Sequence, residues 1–477
     1  MNVTILLITL LVGALATYLS GNKMAPKVAL LVGVIAFAET LLLINQHLQG
    51  VDAGYVVQWM NKPNIFFALK ADGLALALVL LTTLLTPLIV LSSFGTAIEK
   101  SKSFYGLVVF MSFAMTGTFL ASDGFLYYIF WELALIPIYF IALLWGNDTF
   151  EERKKAILKF FIYTFAGSIF MLVAFIYLYQ KAGSFLLQDL YNVSLTANEQ
   201  YWIFLAFFLA YAIKIPIFPF HTWQASTYEK APTVGTMLLS GIMLKMGLYS
   251  IIRWQIPIAP QAAKDLMSTI IVLSLIGVVY GAIVALRQSN IKRFFAYSSL
   301  SHVGLIAAGT YTLTLDGLRG AVYQMLAHGF VIVGLFFIAE IIYRRYQTRN
   351  IGELGGIRQQ AIVLSSLFMI LMFASVGLPG TFSFVGEFSL LFGLSQINIW
   401  YAVIGGSSII FGAFYMLRMF QKVMLGETNS KPFADLNFNE GFVLVILAGV
   451  VLFLGIYPKP ITDLITPSLI EIVSQIK

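Results

Sequence analysis

Long apolar runs dominate this sequence and limit what it can fold into. Of its 477 residues, 59% are hydrophobic and only 11% are charged. The mean hydropathy is +0.88. The apolar runs extend for about 20 residues, which is the length of an α-helix that crosses a bilayer. A membrane barrel would show alternating strands of about ten residues instead. The sequence therefore predicts an all-α polytopic membrane protein without a soluble domain.

The residue types that are missing exclude several kinds of chemistry. The chain has no cysteine, so it cannot supply thiolates to iron–sulfur clusters or zinc, attach haem covalently or form disulfides. It has four histidines, but no phosphate-binding glycine motif, nucleophile elbow or cluster of metal ligands. We therefore expect neither a cofactor nor a metal in this chain.

The net charge of +7 is spread over short loops rather than gathered in one patch. We count about fourteen spans, and the loops after odd-numbered spans hold the basic clusters. These clusters are Lys23 and Lys27; Lys100 and Lys102; Arg153 to Lys155 with Lys159; Arg287, Lys292 and Arg293; and Arg344, Arg345 and Arg349. Because basic loops stay in the cytoplasm, we expect both termini on the periplasmic side of a bacterial inner membrane.

Two spans are interrupted by proline in related ways. The seventh contains Pro216 and Pro219, and the twelfth contains Pro379 between two glycines. Proline removes a backbone donor and clashes with the preceding turn, so each helix should break within the membrane. We expect Pro216 and Pro379 to act as gates at these breaks, and His221, just after the first break, to serve either as a gate or as a helix-end anchor.

The two breaks also indicate an internal repeat. Corresponding broken helices in two halves of a membrane protein are typical of inverted repeats. We predict two repeats of about five helices each, at residues 103–255 and 265–423. N-terminal helices would occupy residues 1–102, and a last helix with a tail would occupy residues 424–477.

Four charged residues lie near the middle of apolar segments: Glu132, Lys214, Lys245 and Glu387. Charge at that depth is costly unless it is paired or lines a hydrated path. Glu132 and Lys214 are natural partners, because a nearby carboxylate favours the charged ammonium and its withdrawal favours the neutral amine. One such charge can simply fix helix register. Four on different helices favour a proton pathway.

Two histidines extend this set. His302 and His328 fall in the tenth and eleventh spans, near several serines. Imidazole exchanges protons near neutral pH, although a lone membrane histidine is as often a hydrogen-bonded packing residue. Both stand between Lys245 and Glu387 in chain order. We therefore expect one axis of Glu, Lys, Lys, His, His and Glu parallel to the membrane plane.

At these positions the sequence resembles the antiporter-like membrane subunits of respiratory complex I. The likeness covers nearly the whole length. The residues that carry it are Trp131 to Pro137, Lys214 to Trp223, Ala231 to Thr233, Gly241 to Lys245, Ile291 to Arg293, Tyr297 to His302, Pro379 with Gly380, and Phe384 to Phe388.

The resemblance implies a role for each buried residue and for the partners. It implies fourteen helices, two inverted repeats and proton translocation without a bound redox centre. The implied path comprises Glu132 as coupling carboxylate, Lys214 as its partner, Lys245 as relay, His302 and His328 as the link, and Glu387 as exit. NADH, FMN, iron–sulfur clusters and quinone would belong to partner subunits, and neighbouring antiporter-like subunits would be direct contacts.

The sequence departs from the family pattern at two positions that bear on the route of proton input. Where the family usually reads Leu-Pro-Asp-Ala-His, this chain reads Gln224 to Tyr228, without an acid or an imidazole. Asn290 stands where an aspartate is common, which removes an expected partner of Lys292 and Arg293. The central charges are intact, so we expect pumping with a different route of proton input.

Two other functions fit the same sequence. A subunit of a multisubunit cation/proton antiporter would share the fold and the lysines, although that family often has lysine where Glu387 stands. A non-pumping structural subunit would use the buried charges only to hold helices in register. Simple scaffolding gives no reason for lysines at broken helices.

Overall fold

The computed structural model describes residues 2–427 and 431–476 and is mostly helical. Its α-helices are α1 (Val3–Leu19), α2 (Ala25–Leu48), α3 (Gly73–Ser92), α4 (Ser101–Leu120), α5 (Gly124–Trp145), α6 (Phe150–Ala182), α7 (Leu187–Tyr191), α8 (Ala197–Lys214), α9 (Gln224–Lys230), α10 (Thr233–Leu238), α11 (Leu244–Ser250), α12 (Ile256–Ile258), α13 (Pro260–Leu286), α14 (Ile291–Thr310), α15 (Leu315–Tyr346), α16 (Ile357–Gln360), α17 (Ile362–Ser375), α18 (Phe382–Ile397), α19 (Ile399–Phe420), α20 (Phe438–Ile456) and α21 (Lys459–Ile476). π-Helical turns occupy Leu239–Met243, Ile251–Gln255 and Gln421–Leu425, and a 3-10 turn occupies Ile351–Glu353. The predicted helical class is confirmed.

Many of these helices are long and apolar enough to span a bilayer. Among the described residues ten reach that length and apolarity, and α1, α17 and α18 are shorter apolar helices. The chain is therefore an integral membrane protein. The number of fourteen spans stays a prediction, because helices such as α8 and α14 carry polar residues along with their apolar ones.

Both predicted helix breaks are present. The seventh span is divided into α8, which ends at Lys214, and α9, which begins at Gln224. The twelfth is divided into α17 and α18, with Pro379 in the gap. In each case the proline follows the end of a helix, as expected for a residue that can neither donate to the preceding turn nor fit against it.

Short polar side chains fix where several helices begin. Asp72 accepts a hydrogen bond from the backbone of Ala75 at the start of α3, and Asp123 caps α5 in the same way. Asn290 caps α14. Such caps satisfy backbone donors that have no partner within the helix. The local sequence therefore determines where these helices begin.

The chain divides into two compact units. Unit 1 contains residues 1–215, 242–268 and 461–477, and unit 2 contains residues 216–241 and 269–460. The division separates α8 from α9 within the seventh span and places part of the C-terminal helix in unit 1. The boundaries of the inverted repeats stay a prediction.

Unit 1 includes a β-hairpin that the sequence analysis did not anticipate. Strand β1 (Tyr55–Met60) pairs antiparallel with β2 (Ile65–Leu69), with a bulge between Gln58 and Met60. The hairpin joins the end of α4, since Lys70 N donates to Leu120 O at 2.8 Å. It also contacts the cap of α5, because Phe66 N donates to Asp123 Oδ2 at 3.1 Å. The hairpin thus closes one end of the unit 1 helices.

Linkers that follow even-numbered spans meet at this end of unit 1. The linker after α6 bonds the linker after α4, where Gly124 N donates to Phe185 O at 2.8 Å and Leu187 N donates to Ser122 O at 2.8 Å. Helix α21 of the C-terminal tail packs here too, and Gly73 permits this approach because a Cβ would collide with Leu464 O. The sequence analysis described this tail without a helix.

In unit 2 the basic linkers after odd-numbered spans also lie side by side. Ile291 N donates to Arg349 O at 2.9 Å, and Ile351 N donates to Ser289 O at 2.7 Å. Asn290 and Asn350 form an antiparallel bridge between the same two linkers. The predicted clusters of positive charge around Arg293 and Arg349 are therefore neighbours.

Candidate functional site

Lys214 is buried at the end of the first half of the broken seventh span. Helix α8 opens with a capping box of Thr196 and Glu199 and ends at Lys214, which is 2% exposed. The Nζ atom has no hydrogen-bond partner within the described residues. It lies 4.9 Å from the ring centroid of Trp131, and a cation over an aromatic face is attracted by about 0.5–2 kcal/mol.

Glu132 lies near Lys214 without forming an ion pair with it in the described part of the chain. It follows Trp131 on α5, and its charge acts on Lys214 within unit 1. The hydroxyls of Tyr128 and Ser168 lie near the Glu132 carboxyl group, and its Oε1 atom is buried without a hydrogen-bond partner among the described residues. No ion pair within 4.0 Å joins the two side chains in the described part of the chain. The structure therefore shows the expected pair in a separated arrangement.

Lys245 lies inside the same unit on a distorted helix. It is fully buried on α11, which has a π-helical turn on each side. π-Turns in membrane-length helices are rare and concentrate at functional sites. Gly247 brings this helix against the end of α8, because a Cβ there would come 2.6 Å from Ile215 Cγ1 and 3.3 Å from Tyr211 O. The two lysines thus belong to directly packed helices.

Tyrosine and serine hydroxyls lie among these helices. Tyr127 on α5 shares a 2.5 Å hydrogen bond with Ser250 on α11, and the hydroxyl of Tyr211 on α8 lies nearby. Ser250 donates in turn to Met246 O at 2.6 Å. The sequence analysis did not single out these hydroxyls, although Tyr127 lies five residues before Glu132 and Ser250 five residues after Lys245 in the chain.

Unit 2 brings three of the predicted residues together. His302 Nδ1 lies 3.4 Å from Glu387 Oε1, and the His302 and His328 ring centroids are 6.1 Å apart. Ser299 Oγ is 3.0 Å from His328 Nε2, and Gln324 Nε2 donates to Glu387 Oε1 at 3.2 Å. His302, His328 and Gln324 line a small cavity, together with Ser298, Ser375 and Ser383. The group provides adjacent donors and acceptors that can pass a proton.

The Glu387 carboxyl group packs against Gly377 in the break of the twelfth span. Gly377 has φ +69°, and a Cβ on it would collide with the Glu387 carboxyl group. Glycine is the residue that adopts this backbone without strain. Glu387 is 2% exposed, and its Oε2 atom is buried without a hydrogen-bond partner among the described residues.

Replacing Gly377 with alanine therefore has two expected effects. The left-handed backbone disfavours alanine by about 1 kcal/mol, and the new methyl group displaces Glu387 from Gln324 and His302. We expect fewer assembled complexes and a pumping defect in those that remain. Thermal stability and protons moved per electron measure the two effects. The Gly380→Ala variant is a control, because Gly380 has φ +90° but nothing within 4 Å of its Cβ position; equal pumping by both variants would contradict the role given to Gly377.

The residues predicted as gates lie at the breaks, and their function stays a prediction. His221 is buried in unit 2, stacked on Phe218 at 5.4 Å and edge-on to Tyr280 at 4.8 Å. Pro216 and Pro379 lie in the two gaps.

The altered connection after Trp223 contains a carboxylate that the sequence analysis did not use. Glu229 pairs with one of the two basic residues that had lost an expected partner, since Arg293 Nη1 lies 3.0 Å from Glu229 Oε2. It also accepts a hydrogen bond from Asn290 Nδ2 at 3.1 Å. Buried Lys292 donates to Ala231 O at 2.8 Å. Glu229 therefore supplies the negative charge that an aspartate at position 290 would have provided.

A fifth charge within an apolar span was also missed. Arg253 lies on the π-turn after α11 and is 2% exposed. It pairs with Asp72 at 2.5 Å. The rule that located the other buried charges applies to Arg253 as well, and its position in a span would have identified it.

Comparisons with known proteins agree with this architecture. Residues 121–457 match the family model described as NADH:quinone oxidoreductase/Mrp antiporter, TM. NADH-quinone oxidoreductase subunit M of Rickettsia prowazekii is 37% identical over 476 residues, which cover 97% of this chain and 96% of the relative.

Solved structures show the same fold. A chain of respiratory complex I from Thermus thermophilus, solved with bound NADH, superposes with a TM-score of 0.92 and 29% identity over 99% of both chains. A chain of the Mrp complex from Dietzia matches with a TM-score of 0.85 and 19% identity, over 99% of this chain and 52% of that one. The latter likeness concerns the fold alone. By its sequence and its structure, the chain belongs to the NADH:quinone oxidoreductase/Mrp antiporter family of membrane proteins.

Proposed function

We propose that this chain is a proton-translocating membrane subunit of a quinone-reducing complex I, equivalent to subunit M or chain 4. The observation that carries the proposal is Lys214, a buried ammonium at a helix break that is close to Glu132 without being bound by it. A structural ion pair would bring the two groups into contact. The separated arrangement leaves the lysine able to exchange a proton.

The size of the electrostatic effect fits a switch. Two unit charges 4 Å apart interact by about 4 kcal/mol at an effective dielectric of 20, and doubling their distance halves that energy. A change of about 1.4 kcal/mol alters the ratio of charged to neutral lysine tenfold. A movement of Glu132 by a few ångströms is therefore enough to load or unload Lys214. Redox energy released in partner subunits would drive that movement.

The other buried groups receive roles within their own units. In unit 1, Lys245 accepts the proton from Lys214, because their helices α11 and α8 are packed together through Gly247. In unit 2, His302 and His328 pass protons to Glu387, which exchanges them with the outside at the break. His221, Pro216 and Pro379 would gate access.

Redox chemistry would then lie outside this chain. We propose that NADH, FMN, iron–sulfur clusters and quinone are bound by partner subunits and that this chain alone catalyses no reaction. The relatives named subunit M support an assembly with other membrane subunits. The basic linkers support a bacterial inner membrane location with both termini on the periplasmic side.

Purification from the native membrane tests this function against its two rivals. We expect the chain to co-purify with iron–sulfur and quinone-binding subunits, and the purified complex to move protons during quinone reduction. Sodium-dependent proton exchange by a complex without quinone-binding subunits would instead establish a cation/proton antiporter. Quinone reduction with unchanged proton movement after loss of this chain would establish a scaffold.

A further inference from the structure

A buried ion pair closes one end of the Lys245 helix in unit 1. Arg253 lies two turns after Lys245, and Asp72 stands at the cap of α3. The Arg253 Nη2 atom is 2.5 Å from Asp72 Oδ1, and the two residues are 2% and 7% exposed. Removing two charges from water is costly, so a pair at this position calls for a reason beyond packing.

Two tyrosines hold Arg253 in place, one at its guanidinium group and one at its backbone carbonyl. Arg253 Nε donates to the hydroxyl of Tyr249 at 3.1 Å, and that hydroxyl donates to Phe119 O at 2.7 Å. Tyr191 donates to Arg253 O at 2.6 Å. Tyr249 lies one helical turn after Lys245, so its hydroxyl links this part of the helix to the guanidinium group.

A solvent-open cleft borders Lys70, which contacts Asp72 of the pair. It is bordered by the β-hairpin and by polar residues that include Asp52, Lys70 and Gln188. Lys70 Nζ is 3.5 Å from Asp72 Oδ2 and 3.3 Å from Glu471 Oε1 of α21, and its side chain is 38% exposed. A series of polar contacts thus leads from Arg253 on the Lys245 helix through Asp72 to Lys70 at this hydrated surface.

Neither member of the pair can relay a proton. Arginine stays charged at all relevant pH values, and a fixed arginine in a narrow passage repels protons. Burial raises the pKa of Asp72, but the charges of Arg253 and Lys70 outweigh it and hold that pKa below its usual range. A carboxylate kept ionised in this way does not take up a passing proton.

On the basis of the proposed function, we propose that the Asp72–Arg253 pair is a seal that prevents protons held at Lys245 from escaping into the cleft beside the hairpin. A one-way pump requires such a barrier wherever its proton site approaches water. The hydroxyl of Tyr249 otherwise offers the first step of an escape route.

The test measures passive proton conductance of the assembled complex in lipid vesicles, without substrates. We expect the combined Asp72→Asn and Arg253→Gln variant to raise conductance at least tenfold, because it removes both charges and keeps hydrogen-bonding groups. Asparagine preserves the helix cap. The single Arg253→Gln variant serves if the combined one does not assemble, because it removes the charge that repels protons. Unchanged conductance in an assembled variant overturns the seal.

Two further variants define the route. Neutralising another partly buried pair, Arg345 and Glu440 at 2.7 Å in unit 2, by Arg345→Gln and Glu440→Gln is the matched control and should leave conductance unchanged. Adding Lys245→Met to the seal variant should abolish the leak, and a leak that persists overturns the assignment of the seal to Lys245. Because conductance is measured without turnover, failure of the seal is distinct from failure of pumping, which is measured as protons moved per electron.

Discussion

The Lys245→Met variant is expected to lose the protons that this subunit moves while the complex stays assembled. Lys245 is fully buried, and methionine keeps the unbranched stem but removes the ammonium group. An apolar side chain at this position avoids the cost of taking a charge out of water, so we expect the helix to stay packed. Without the ammonium group a proton must cross this stretch unaided. Each added barrier of about 1.4 kcal/mol slows proton transfer tenfold. We therefore expect the number of protons moved through this subunit per electron to fall more than tenfold.

The measurement is protons moved per electron in vesicles that contain the purified complex, together with its melting temperature. Lys23→Met is the control, because Lys23 is exposed in a basic loop and its loss should change neither quantity. A scaffold predicts the reverse pattern, with impaired assembly and full proton movement in the complexes that survive. Full stoichiometry in an intact Lys245→Met complex would exclude the relay.

The helical class and both helix breaks could be predicted from the sequence because the bilayer restricts the backbone. Every peptide group within lipid needs a partner, so apolar runs of sufficient length must be helices. Proline at positions 216 and 379 then leaves few possibilities other than a break. Buried charges are equally visible, since few other reasons bring lysine into an apolar run. These rules act on neighbours in the chain and need no tertiary structure.

Features that depend on distant residues could not be predicted in this way. The hairpin at Tyr55–Leu69 is stabilised where it meets the ends of α4 and α5. Helix α21 buries one face that includes Leu464, and Gly73 provides the space for it. Nothing near these segments in the chain reveals their partners.

The altered connection after Trp223 shows the same limit at the level of single contacts. Asn290, in place of an aspartate, predicted that Lys292 and Arg293 lack an expected partner. In the structure Glu229 occupies that role through contacts with Asn290 and Arg293. A carboxylate can pair with these basic residues from any position in the chain if the fold brings it close to them.

The Glu387→Gln variant is expected to lose proton movement with little change in stability. Glu387 is 2% exposed and is bounded by His302, Gln324 and Gly377. Glutamine has nearly the same shape and can still accept the bond from Gln324. It cannot take up and release a proton, so the histidines lose the group to which they would deliver it. We expect the number of protons moved through this subunit per electron to fall more than tenfold in Glu387→Gln and to recover in part in Glu387→Asp.

Glu440→Gln is the matched control for a buried glutamate with a structural role. Glu440 completes the capping box of α20 and pairs with Arg345 at 2.7 Å. Its neutralisation leaves a partly buried arginine without its counterion, which should lower the melting temperature but leave protons per electron unchanged. We therefore expect Glu387→Gln to lower protons per electron and not the melting temperature, and Glu440→Gln to do the opposite. If Glu387→Gln also lowers only stability, Glu387 is a structural residue and proton release must occur elsewhere.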